Sequence, residues 1–167
     1  MKSIKVPVTD EVIENLEVGD KIKISGKIYT GRDAALPKLV KSLKNGKKLI
    51  EIKGSAIMHT AVSDAGISPT TSNKDEIQGC IPDLAKAGVK IHIGKGALSD
   101  NIIKALNKEN SIYIVTPPVA ALLKSKIKSK KIVAFAEEGI EAIFELEVYD
   151  IPGVVAVAHG KSIYSLN

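Results

Sequence analysis

Cysteine is nearly missing from this 167-residue chain: Cys80 stands alone, tryptophan is absent, and aromatics are limited to two Phe and four Tyr. One thiol closes no internal disulfide and by itself builds no multi-cysteine metal or iron–sulfur site. Long apolar runs are missing as well. Nothing approaches the roughly 18 residues of a membrane span, and Met1-Lys2-Ser3-Ile4-Lys5 lacks a signal-peptide core, so no membrane association and a cytoplasmic location are expected. Arginine is the scarcest cation. Arg32 is the one arginine in a chain whose Lys and Arg total 24.

Those absences also bear on the net charge of +5. Lys124, Lys126, Lys128, Lys130 and Lys131 form the densest basic run, yet no aromatic residue is interleaved and the arginines usual in base recognition are lacking. The run reads as a solvated helix end followed by a strand entry, with no nucleic-acid partner. What is present is 44% hydrophobic residues with spaced Gly and Pro. That composition suits one ordered globular domain covering 1–167.

A chain that meets its solubility needs with lysine gives no general reason for a single guanidinium. The planar fork of Arg32 suits bidentate grip on a carboxylate or phosphate, and the alternative is an internal pair with Asp33 or another acid. Local pattern places it at a strand-to-helix junction. Lys21 to Tyr29 reads as a half-exposed strand, and Ala35, Leu39, Val40 and Leu43 fall on one helical face closed near Asn45-Gly46. Pro37 must lie in the first turn of that helix, so its start is expected near Asp33 or Ala34.

Along the rest of the chain, Ile4 to Val8 reads as a first strand and Thr9 as a helix cap, with Asp10 and Glu11 in the first turn. Leu49 to Met58 reads as a strand. Residues 59–82 lose periodicity, a length at which loops are usually functional or disordered. Within that stretch Ser72 and Asp75 resemble a capping box, which puts Thr70 and Thr71 ahead of a short helix and Lys74 in its first turn. His59 is expected to be structural.

Val89 to Ile93 is a compact strand, followed by Gly94-Lys95-Gly96 and by Ser99 capping the helix Asp100 to Lys108. The Gly-Lys-Gly spacing is not a P-loop, though its glycines allow close backbone approach to a ligand. Ser111 to Val115 is a strand, and Thr116-Pro117 reads as a cap leading into Val119 to Leu123. Ile132 to Ala136 reads as a buried strand, Ala142 to Tyr149 as a half-buried one, and Val154 to Ala158 closes the sheet. The expected class is α/β, with a mixed, largely parallel sheet and flanking helices. In such a sheet, strand-to-helix junctions gather at the carboxyl edge, where Arg32, Lys74 and Lys95 together suit a small polyanion, most simply a di- or tricarboxylate.

These segments resemble the beta subunit of the class I, iron–sulfur-dependent fumarate hydratase and L-tartrate dehydratase family. The matching pieces are Val18-Gly19-Asp20, Ile28-Tyr29-Thr30, Gly31-Arg32-Asp33-Ala34-Ala35, Pro69-Thr70-Thr71-Ser72 and Ile93-Gly94-Lys95-Gly96. Glu138-Gly139-Ile140-Glu141-Ala142-Ile143-Phe144 and Val148-Tyr149-Asp150-Ile151-Pro152 complete the set and are the more specific ones. The resemblance implies a swivelling β/β/α domain that closes over a [4Fe-4S] cluster held by a separate alpha subunit, with no cofactor or metal ligand in this chain.

Carried over by residue, Arg32, Lys74 and Lys95 would bind the substrate carboxylates and Thr70 would act catalytically in proton transfer next to a carboxylate. The implied activity is reversible hydration of fumarate to malate, active only with the alpha subunit. An L-tartrate dehydratase beta subunit and a stand-alone, non-catalytic dicarboxylate-binding module are the alternatives, and pairing with a second copy in isolation is left open. Three departures stand out. Lys74 lies where the family has arginine, Leu36 where it has histidine, and Met58-His59-Thr60-Ala61-Val62 where it has a Tyr-Tyr-x-Gly-Pro-like segment.

Overall fold

The computed structural model describes residues 1–117 and 119–165. The chain begins with β1 (Lys2–Val6), and Thr9 then accepts the Val12 N–H to start α1 (Asp10–Glu14), as a β-region hydroxyl cap should. β2 (Lys21–Gly31) pairs in parallel with β1 along its first half and with β3 (Ala56–His59) at its far end. β6 (Ile91–Gly94) continues the parallel set beside β3, and β7 (Ile112–Val115) beside β6.

A single long strand closes this sheet. β9 (Ile143–Ala158) runs antiparallel to β7 near its end and antiparallel to β2 along most of its length, so β2, β3, β6, β7 and β9 form a continuous ring of pairings. β8 (Ile127–Ala134) and β10 (Lys161–Ser162) add to β9 from outside that ring.

Alternation decides which side chains fill the ring. Ile22, Ile24, Ile28, Ala56, Met58, Ile91, Ile93, Ile112, Ile114, Leu146, Val148 and Val155 share one buried cluster. Burying each isoleucine there contributes about 1.5–3 kcal/mol relative to exposure. The residues that alternate with them face the helices instead: Tyr29 and Ile57 pack with α2 (Leu36–Lys44) and α4 (Ile81–Ala87), and Tyr113 packs with α5 (Asp100–Lys108). By the same parity His59 and His92 lie on the helix side of β3 and β6.

The observed class is therefore the expected one, a mixed and largely parallel sheet flanked by helices. Several element boundaries differ, each for a local reason. The strand expected over Leu49 to Met58 is confined to β3, because the chain turns at Lys53-Gly54, where Gly54 has φ +77° and the Gly54 C=O accepts the Val8 N–H. α2 begins at Leu36 rather than Asp33 or Ala34. The Leu36 N–H already returns to the Arg32 C=O, but Pro37 has no N–H to return to Asp33, so the unbroken ladder starts with the Leu39 N–H to Ala35 C=O bond.

Thr116 does not cap a helix; its hydroxyl donates to the Pro152 C=O of β9, and α6 (Ala120–Ser125) starts later with Val119 at its cap position. The strand expected to be buried over Ile132 to Ala136 is the far end of β8, an outer strand with Ile132 45% exposed. Its lysines guard an unpaired edge. The two final strands expected from the sequence are one, β9, which passes Asp150 at φ +50° and a register shift without breaking.

The carboxyl ends of β2, β3, β6 and β7 point the same way, and the segments that follow them make one rim. After β3 that rim includes a small hairpin, β4 (Val62–Ser63) and β5 (Gly66–Ile67), then residues 68–74 and the short α3 (Asp75–Gln78). No helix among the described residues is long and apolar enough to cross a membrane.

Candidate functional site

Arg32 leaves the end of β2 in a turn made tight by its neighbour. A Cβ on Gly31 would come within 2.8 Å of both Ile143 Cδ1 and Leu36 Cδ2, so the bare glycine lets β9 and α2 close on this junction. The Arg32 side chain is 28% exposed and is held by its inner edge. Its Nε–H donates to Asp33 Oδ1 at 2.9 Å, and Glu141 Oε1 lies 3.3 Å from the same nitrogen. One Nε–H serves one acceptor well. Glu141 Oε1 is therefore buried without a hydrogen bond of its own, and its attraction to the guanidinium is coulombic.

The remaining four donors of the fork, on the two Nη atoms, have no hydrogen-bond partner among the described residues. A guanidinium fixed by one edge with its outer fork open is organised to receive a carboxylate. Hydrogen bonding from Arg32 first of all, with Lys74 adding a smaller coulombic part, holds the Asp33 carboxyl below the ordinary aspartate range. Asp33 thus remains an anion and keeps the fork in place.

Lys74 comes to the same carboxylate from the other side, with Nζ 3.5 Å from Asp33 Oδ2. Two of the three expected cations therefore meet through Asp33. The expected capping box does not form: Lys74 itself occupies the cap position of α3, and Ser72 turns into the protein. Lys95 joins by its backbone. Thr71 and Lys95 form a parallel bridge, and the Ser72 N–H donates to the Lys95 C=O at 3.0 Å. Thr70 sits one residue before that bridge, partly buried, with its N–H donating to the His59 C=O at 2.7 Å. Arg32, Thr70, Lys74 and Lys95 thus occupy adjoining segments of one rim.

Sequence reasoning missed two neighbours of these residues. Glu141 lies in the 3-10 segment Ala136–Glu141 ahead of β9, and this segment is tethered to α2 because Lys38 pairs with Glu137 at 3.2 Å and Glu138 at 2.7 Å. The signal for Glu141 was there, since it is part of the specific motif 138–144. The second is the buried polar group beneath residues 70–74, where His59 Nδ1 meets Ser72 Oγ at 2.7 Å. Nothing in the spacing of His59 and Ser72 points to that pairing. Leu36, at the position where the family has histidine, is fully buried against the helix-side core and faces no solvent.

The resemblance implies iron–sulfur chemistry, which calls for ligands to such a group. Among the described residues no group of three or more His, Cys, Asp and Glu is placed to hold a metal. Cys80 is buried, donates its S–H to the Glu76 C=O, and burial above all pushes its thiol up to about 11. A protonated, enclosed thiol is the wrong state for a cluster ligand.

With this geometry in hand, similarity to known proteins becomes specific. The family model for the fumarase C-terminus matches residues 2–166. A Methanocaldococcus jannaschii protein provisionally named L(+)-tartrate dehydratase subunit beta is 33% identical over 94% of this chain and 88% of its own length. A Geobacillus stearothermophilus protein provisionally named fumarate hydratase class I is 33% identical over 97% of this chain, and the aerobic class I fumarate hydratase of Escherichia coli is 30% identical over 84%. This chain spans 33% and 27% of the length of those two. It covers nearly all of the archaeal subunit and about a third of the longer enzymes, and it belongs to the fumarase C-terminal family.

Proposed function

We propose that this chain is the beta subunit of a class I fumarate hydratase, a hydro-lyase that adds water across the double bond of fumarate to give malate. The observation that carries the reading is the open Nη fork of Arg32, fixed by Asp33 and Glu141 and flanked by Lys74 on the same carboxylate. In this reading Arg32 takes one substrate carboxylate bidentately, and Lys74 and Lys95 balance the second negative charge. Thr70 handles the proton at the carbon next to a carboxylate. A threonine hydroxyl is a weak base, so it needs an ionised acid beside it, supplied by the alpha subunit.

Class I fumarate hydratases are iron–sulfur enzymes. Because the residues here do not fit a cluster, we assign the [4Fe-4S] group to the alpha partner. This chain would bind, orient and enclose the dianion and move a proton. It would be inactive alone.

A second reading, an L-tartrate dehydratase beta subunit, is favoured by the near full-length match to the archaeal protein of that name. Both acids present two carboxylates to the same cations. Co-expression with a cluster-bearing alpha chain, followed by assay of fumarate hydration and tartrate dehydration, separates the two. Dicarboxylate binding by a chain that never pairs and never turns over would leave only the non-catalytic module.

A further inference from the structure

Beneath residues 70–74 lies a string of buried polar groups that the proposed reaction does not use. His59, Ser72, His92 and Tyr113 are all fully buried on the helix side of the sheet. His59 Nδ1 and Ser72 Oγ are 2.7 Å apart. The Tyr113 hydroxyl donates to the Gly96 C=O at 3.0 Å, and the Ser72 hydroxyl works against burial in setting the acidity of the Tyr113 phenol.

Donor and acceptor roles follow from which ring nitrogen of His59 has a partner. With its proton on Nδ1, His59 donates to the Ser72 oxygen and its unpartnered Nε2 is a bare lone pair, whereas the other tautomer would strand a buried N–H. The His59–Ser72 pair joins β3 to the loop bearing Thr70 and Lys74, and the Tyr113–Gly96 bond joins β7 to the loop bearing Lys95.

Backbone bonds follow the same line. His59 C=O holds the Thr70 N–H, and Lys95 C=O holds the Ser72 N–H. Room for the junction depends on Gly94, because a Cβ there would collide with Ser72 Oγ and come within 3.0 Å of His59 Nδ1. Three chain segments therefore meet at one serine hydroxyl.

We propose that His59, acting through Ser72, is a positioning residue that fixes the spacing between Thr70 and Lys95 and so sets how the substrate dianion meets the hydroxyl that moves its proton. This deepens, and rests on, the hydro-lyase reading. His59 touches no substrate. Its ring stays neutral because burial drives its pKa down to about 3, so the tie persists across the working pH range.

The test uses His59→Leu, Ser72→Ala and His59→Asn, each as the full chain and as the complex with its alpha partner. In the chain alone, amide exchange at Thr70 and Ser72 is expected to quicken about tenfold in the first two variants, the scale of one net hydrogen bond. His59→Asn, which keeps a donor near the Nδ1 position, should restore protection. In the complex, kcat should fall in the same order, about tenfold, with KM moving less, and the double variant His59→Leu/Ser72→Ala should be no worse than either single one.

A folded His59→Leu chain with unchanged Thr70 and Ser72 exchange overturns the proposal, and so does one with faster exchange but unchanged kcat. Lowered thermal stability with kcat per folded molecule intact would mark a purely structural histidine and overturn it equally. Should the wild-type complex prove inactive toward fumarate and tartrate, the functional reading fails by itself, and the exchange result alone decides whether His59 pins the loop.

Discussion

The two halves of the rim are held in opposite ways. Arg32 is held at the surface by charge, through Asp33 and Glu141, with the flanking segment 136–141 tied to α2 by Lys38. Thr70 and Lys95 are held from below by neutral hydrogen bonds in a dry interior, through His59, Ser72 and Tyr113. Exposed ionic ties are individually weak and screened by salt, whereas buried neutral ones are indifferent to salt and costly to leave half made. The arginine side is thus the adaptable part of the rim and the threonine side the fixed part.

The sharpest way to break that division is Thr70→Ala. If the fixed side carries the proton, kcat should fall about 10²- to 10⁴-fold, the range of a lost acid–base group, with KM nearly unchanged. Stopped-flow or steady-state hydration assays of the complex would show it, and a normal kcat would remove Thr70 from the chemistry. Arg32→Lys addresses the other side. It keeps the charge and loses the fork, so kcat/KM should drop roughly tenfold to a hundredfold, mainly through KM. A loss confined to kcat would mean that Arg32 belongs with the catalytic group.

How far this arrangement could be read from sequence depends on the kind of contact. Arg32 stands out because it is a lone arginine, and the strand-to-helix pattern puts it at the carboxyl edge. The bounds of the helix Asp100–Lys108 were legible to the residue from its apolar face, although Ser99, at the cap position, makes no side-chain cap hydrogen bond. The ring closure was not. It depends on β9 reaching β2 and β7 at once, and two apolar stretches separated by Asp150-Ile151-Pro152-Gly153 look like two strands until the pairing is seen. Ser72 was misread for a related reason. A serine three residues before an acid is a fair local cap, but a buried histidine 13 positions earlier outcompeted the helix for its hydroxyl.

The buried side also predicts a pH signature. Burial lowers His59 and His92 to about 3, with the neighbouring His59 adding to the shift at His92, against about 6.5 in an unfolded chain. Between those values the unfolded state binds more protons than the folded one. Stability is therefore complete above about pH 6.5 and is lost as pH falls toward 3, at about 1.4 kcal/mol per pH unit for each histidine. Urea unfolding at pH 7 and pH 5, above the ordinary carboxylate range, should show it, and His92→Asn should halve the slope. A flat profile would mean that these imidazoles are protonated and paired in the folded protein.

The smallest effect belongs to Glu141→Gln. This change removes the coulombic hold on Arg32 Nε but leaves the Asp33 hydrogen bond, so the fork should keep its place while its local field becomes more positive. Two consequences oppose each other. A looser guanidinium weakens the bidentate grip, and a lost negative charge near the pocket favours the dianion. Because both are about 1 kcal/mol or less for a partly exposed pair, the net change in KM should stay below about tenfold in either direction. Its salt dependence carries the information: the dianion now meets a site with one more unit of positive charge, so KM should rise more steeply with ionic strength than in the wild type. An identical salt slope would show that the Glu141 charge never reaches the ligand, and would move Glu141 from the anion site to the scaffold that supports β9.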